Sequence, residues 1–176
     1  MKSTIRGWLG LDTREPDDGP RGALRALLDA LDQLPPERAR YLAQFAYLLG
    51  RVAHADQHVS AAETQTMERL IAREGGLPDE QAILVVGLAK ASSLLFRGTE
   101  DFIVAREFAA AASYDQKLAL VRCLFAVSAA EHDISMDEER EIQRIARELR
   151  VEPSDVVSLR LEFWHHLPGL SKRDTR

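Results

Sequence analysis

From Gly22 onward the apolar residues of this chain recur at steps of three and four. Leu24, Leu27, Leu28 and Leu31 form one stripe, and Pro35-Pro36 closes the helix it predicts. A second helix is expected from about Glu37 to Ala55, with Leu42, Phe45, Ala46, Leu49, Val52 and Ala53 on its inner side. Ser60 opens a third, carrying Met67, Leu70 and Ile71, with Gly75-Gly76 placed as a C-cap. Pro78-Asp79-Glu80 suits the first turn of a fourth, which leads through Ile83 to Phe96. Thr99-Glu100-Asp101 starts a fifth that runs to Ala112. Ser113 with Gln116 is a capping box for a sixth, with Leu118, Val121, Leu124, Phe125 and Ser128 along it. Ser135 with Glu138 opens a seventh, with Ile142, Ile145 and Leu149 inward, and Pro153 to Trp164 forms the eighth. No segment alternates with period two over strand length. The pattern predicts an all-α bundle of about eight helices.

Two stretches of this pattern are copies of each other, 75 positions apart. Ala55-Asp56-Gln57-His58-Val59-Ser60-Ala61-Ala62-Glu63 aligns with Ala130-Glu131-His132-Asp133-Ile134-Ser135-Met136-Asp137-Glu138. The match extends to Leu49 with Leu124, Val52 with Val127, Met67 with Ile142 and Arg69 with Arg144. An internal repeat of this kind gives the bundle a pseudo-twofold symmetry. It also sets carboxylates at two equivalent helix-turn-helix corners.

Residues 1–20 stand apart as a flexible segment. Ile5, Trp8, Leu9 and Leu11 make a short apolar face, a small anchor at most, before the linker-like run from Asp12 to Pro20. The helical domain is expected over 21–167 and a tail over 168–176. The chain has 176 residues, enough for a single domain with a core, and its 45% apolar and 29% charged shares are ordinary for a globular protein. A net charge of −5 argues against nucleic acid as partner. A single cysteine, Cys123, excludes an intramolecular disulfide and suits a reducing compartment. No apolar run approaches the roughly 20 residues of a membrane span, and the N-terminal stretch lacks the apolar region of a secretory signal. A cytoplasmic protein is expected.

At the corners, Asp56 and Glu131 fall at the C-terminal ends of long helices, where unpaired carbonyls already make the potential negative. A carboxylate there costs a few tenths of a kcal/mol to about 1 kcal/mol, so a positive group should come close. An Arg or Lys side chain would serve, and so would a bound calcium or magnesium ion, which takes oxygen ligands. Asp56, Glu63, Glu131 and Glu138 are the candidate metal ligands, with His58 and Asp133 as further donors. Neither corner is an EF-hand loop. Capping is the competing explanation for Glu63 and Glu138, since Ser60-x-x-Glu63 and Ser135-x-x-Glu138 are both capping boxes. It does not explain Asp56 or Glu131. Cys123 reads as a core residue, and Phe163 and Trp164 as staples of the last helix. No nucleophile and base arrangement, Cys-x-x-Cys, histidine pair of a metalloprotease or phosphate loop appears.

These corners resemble the doubled Ala-Asp-Gly-x-(Val/Ile)-(Ser/Thr)-x-x-Glu turn of the TerB family, named for tellurite-resistance proteins. The resemblance covers about residues 22–165. The stretch from Leu95-Phe96-Arg97-Gly98 to Phe102 is also similar to the TerB-like module of DjlA-type DnaJ co-chaperones, though no His-Pro-Asp motif is present. Gln57 and His132 stand where the family has its turn glycine, and Glu131 stands where it has aspartate. The resemblance implies a non-enzymatic module linked to tellurite resistance or stress response. Its partner would be another protein or a membrane-associated complex, met in the cytoplasm or at the inner face of the membrane. Two other readings stay open: a purely structural adaptor without metal, and a metal-dependent hydrolase.

Overall fold

The computed structural model describes residues 20–52, 61–95, 101–131 and 133–167. These residues form α1 (Pro20–Asp32), α2 (Pro36–Val52), α3 (Ala61–Gly75), α4 (Asp79–Leu95), α5 (Asp101–Ala111), α6 (Tyr114–Glu131), α7 (Met136–Glu148) and α8 (Pro153–Glu162). A single 3-10 turn, Trp164–His166, follows α8. Among the described residues there is no strand, so the all-α bundle read from the apolar spacing is the architecture found.

The order of packing follows from which faces are apolar. α2 buries Leu42, Phe45, Leu48, Leu49 and Val52, and it touches α1, α4, α5, α6 and α7. α6 is the second central helix, with Leu120, Val121, Cys123, Leu124, Phe125 and Val127 buried, and it carries α3, α7 and α8. The first helices of the two repeats, α2 and α6, thus lie against each other. The second helix of each repeat also packs on the first helix of the other, α3 on α6 and α7 on α2. Exchange of this kind is what a sequence repeat needs to bury two half-apolar hairpins in one core.

The core is continuous. Tyr41 and Phe45 of α2 meet Phe108 of α5, with Tyr41 stacked on Phe108 at 5.4 Å and Phe45 edge-on to it at 6.5 Å. Burial pushes the Tyr41 hydroxyl up to about 12, so the ring stays neutral in this cluster. Beside it, buried Gln44 donates to Glu107 of α5 at 3.1 Å. At the other end Phe125 stacks on Phe163 at 5.8 Å and holds α8 to α6. Trp164 takes no equal share in this stapling. It is exposed, and its ring lies over that of His165 at 3.5 Å. Gly87 of α4 lets α1 approach closely, for a Cβ there would stand 2.9 Å from Leu27 Cδ2.

Both repeats end their second helix in the same way. Gly76 takes a left-handed φ of 60°, and Leu77 donates its N–H to Ala72 O at 3.1 Å. In the second copy Arg150 takes φ 58°, and Val151 donates to Ala146 O at 3.0 Å. These are Schellman turns that tie up last-turn carbonyls. Arg150 stands 74 positions after Gly76, while Ser135 stands 75 after Ser60, so the second copy has lost one residue along its helix. A left-handed residue with a side chain costs roughly 1–2 kcal/mol, part of which glycine loses again through its freer unfolded chain. Arg150→Gly is therefore expected to raise stability by about 0.5–1 kcal/mol, read as a higher denaturant midpoint at unchanged slope.

Candidate functional site

The second corner is built by local chemistry. α6 ends at Glu131, and Asp133 lies exposed in the bend that follows. Ile134 is buried, and its N–H donates to the carbonyl of His166 at 2.7 Å, which ties the turn to the end of α8. Ser135 has the extended φ,ψ of an N-cap, −71° and 159°. Its hydroxyl accepts from the N–H of Glu138 at 3.2 Å, and the Glu138 carboxylate accepts from the N–H of Ser135 at 2.8 Å. The capping box expected from the sequence is therefore made, and it occupies Oε2 of Glu138. Ser135→Ala should cost about 1 kcal/mol, whereas Glu138→Gln should stay within about 0.5 kcal/mol because glutamine serves at the same cap position. Denaturant midpoints of the two variants check the contrast.

The first corner is bounded by the end of α2 at Val52 and the start of α3 at Ala61. Asp56 and His58 lie outside the described residues, as does the side chain of Glu131. Glu63 is exposed in the first turn of α3. Among the described residues, no three His, Cys, Asp or Glu side chains gather as a group able to hold a metal ion. Glu63, Asp133 and Glu138 do not meet as such a group.

Two features beside the corners carry charge or polarity that the packing has to account for. The first is Arg51, in the last turn of α2 and only 7% exposed at its side chain. Its Nε donates to Glu141 Oε1 at 2.9 Å, its second terminal nitrogen to the same oxygen, and its first to Glu148 Oε2 at 2.7 Å. Burial alone would lower the Arg51 pKa, but its hydrogen bonds to Glu148 and Glu141 outweigh that and hold it above the ordinary arginine value. Arg144 reaches the other oxygen of Glu148 at 3.2 Å. The guanidinium thus joins the helix entering the first corner to α7, the helix leaving the second. The second feature is Ser128, buried one turn before Glu131 on the same side of α6. Its hydroxyl has no hydrogen-bond partner among the described residues.

The family profile described as tellurite resistance protein TerB matches residues 42–161, from the middle of α2 to the end of α8. The chain belongs to the TerB family. The matched stretch contains both acidic corners, the exchanged helices and the Arg51 link of this TerB chain. No curated protein and no solved structure matches it. Among its described residues no helix is long and apolar enough to cross a membrane. Cys123 is fully buried, as a core residue should be, and burial pushes its thiol far up from the usual range.

Arg51 was not among the residues that the sequence pattern singled out, although a signal for it exists. Glu141 and Glu148 are seven apart, and each immediately precedes an inward residue, Ile142 and Leu149. Carboxylates bordering a buried stripe in this way need a cation from a neighbouring element. The sequence does not say which element supplies it.

Proposed function

We propose that this TerB chain is a non-enzymatic interaction module of the cytoplasm whose acidic corners hold a divalent cation. Calcium or magnesium is the expected ion, because the donors on offer are carboxylates, carbonyls and a hydroxyl. The observation that carries the reading is the buried, unpartnered hydroxyl of Ser128 one turn before the end of α6. A carboxylate ends α6 at its negative pole, and one turn earlier a buried hydroxyl lacks a protein partner among the described residues. Arg51 is the guanidinium nearest Asp56 in sequence, yet all three of its nitrogens are engaged by α7 carboxylates. Asp56 and Glu131 are the principal ligands in this reading, and Glu63, Glu138, His58 and Asp133 are secondary. Glu138 is the weakest, because its cap already accounts for one oxygen.

Ion binding at the corners would fix the angle between the helices they join, and so the surface offered to a protein partner or membrane-associated complex. A role in tellurite resistance or stress response comes from family membership. Calorimetric titration of chelator-treated protein with calcium, magnesium, manganese and zinc tests the ion. Saturable binding of one of the hard cations, weakened at least about tenfold (about 1.4 kcal/mol) by Asp56→Asn/Glu131→Gln, is the expected result. Absent binding, or binding unchanged in the double variant, would leave the structural adaptor as the better account.

A further inference from the structure

α5 is apolar on almost every side. Along Asp101–Ala111 only Asp101, Arg106 and Glu107 carry charge. A helix of that composition is ordinarily covered all round. α5 is covered on one side only. Val104, Ala105 and Phe108 are fully buried on the side where it meets α2 and α7. Phe102 and Ile103 are 57% and 43% exposed, and Arg106, Glu107, Ala110 and Ala111 also lie at the surface. At about 100° per residue, Phe102, Arg106, Ala110, Ile103, Glu107 and Ala111 follow one another across the outer half of the helix. Ile103 and Ala110 thus form its midline, one heptad apart, with Arg106 on one flank and Glu107 on the other.

The two flanking charges are not matched within the chain. The Arg106 guanidinium lies over the Phe102 ring of its own helix at 5.8 Å, and it has no ion-pair or hydrogen-bond partner among the described residues. Glu107 accepts the Gln44 amide on Oε2 at 3.1 Å, and among the described residues no cation binds either of its oxygens. Arg40, exposed one turn before Gln44 on α2, is a further cation on the Glu107 flank, and among the described residues it makes no ion pair with Glu107. A face with a cation on one flank and an anion on the other is complementary to a copy of itself.

We propose that this chain self-associates as a parallel twofold dimer through the outer face of α5. A twofold axis along the helix sets each flank against the opposite flank of the second copy, so Arg106 of one copy meets Glu107 of the other, twice. Ile103 packs on Ile103, a branched residue on the midline that favours two strands. Ala110 on Ala110 lets the helix axes come within about 8 Å. An antiparallel pairing would set arginine against arginine and glutamate against glutamate, so the charges select the parallel one. One heptad of helix covers roughly half of the ~800 Å² per partner of a standard interface, which makes the dimer weak and reversible. The proposal stands on α5 alone, independent of any ion at the corners.

Sedimentation equilibrium of the full chain from about 10 μM to about 1 mM tests it, the range in which a weak dimer forms. The expected result is a weight-average mass that climbs from the monomer value toward twice that value. Arg106→Glu and Glu107→Arg set like charges across the pair, and each should weaken the dimer at least about fivefold. The exchange Arg106→Glu/Glu107→Arg should restore it. Ile103→Glu should abolish it, while Val157→Glu, exposed on α8, should leave it unchanged. Glu107→Arg also takes the acceptor from Gln44, so Arg106→Glu and Ile103→Glu carry the test if that variant is unstable. A mass that stays at the monomer value throughout overturns the proposal. Association that survives Ile103→Glu, or that Arg106→Glu does not weaken, overturns it as well.

Discussion

Arg51→Ala is expected to lower the unfolding free energy by about 3–5 kcal/mol, a large share of the 5–15 kcal/mol of a typical domain. The side chain is 7% exposed, and its partner Glu148 is 11% exposed, so removing the guanidinium strands a carboxylate that water scarcely reaches. Arg144 still holds one oxygen of Glu148, which places the effect toward the low end of that range. Arg51→Met keeps most of the aliphatic packing and should lose nearly as much. Adding Glu141→Gln and Glu148→Gln to Arg51→Met should recover part of the loss, because the stranded charges go with it. Urea unfolding of these variants measures the effect. A change below about 1 kcal/mol for Arg51→Ala would mean that the pair behaves like a solvated surface bridge.

Phe108→Ala should cost about 3–5 kcal/mol, and Phe45→Ala a similar amount. Both rings are fully buried, and they meet edge-on at 6.5 Å where α5 crosses α2. Neither site can collapse easily. Phe45 is held by its own helix at the centre of the bundle, and Tyr41 leans on both rings. The double variant should therefore lose less than the sum of the singles, by about 0.5–1.5 kcal/mol, the usual worth of an aromatic pair. Full additivity would indicate that the two rings are energetically separate. Tyr41→Phe keeps the stack and should move stability little.

The helices of this chain are legible because their signals are local. Ser113 with Gln116 and Ser135 with Glu138 mark helix starts, and both make the reciprocal hydrogen bonds expected of them. Gly76 marks an end because only a left-handed residue closes that turn. Apolar spacing places Cys123, Ile142 and Leu149 inward, and they are buried. The repeat gives the two corners and the helices around them.

What was not legible depends on partners far away in sequence. Arg51 is 90 and 97 residues from Glu141 and Glu148, and no local rule selects it from the other arginines. The one-residue slip that puts Arg150 at a left-handed position is hidden because alignment on the serines looks uninterrupted. Phe163 and Trp164 read alike as staples of the last helix, yet the 3-10 turn after α8 leaves Trp164 exposed while Phe163 packs on Phe125. At the corners, sequence separates the glutamates that capping explains from Asp56 and Glu131, which it does not. The hydroxyl of Ser128, a turn behind Glu131, is the structural addition.

The most direct measurement is anomalous scattering from crystals of the chain grown with manganese, a stand-in for calcium or magnesium at oxygen ligands. The account predicts an anomalous peak within coordination distance of carboxylate oxygens of Asp56 or Glu131, with Ser128 Oγ turned toward it. Ordered corners with no such peak, and with Asp56 and Glu131 paired instead to arginine or lysine side chains, would contradict it.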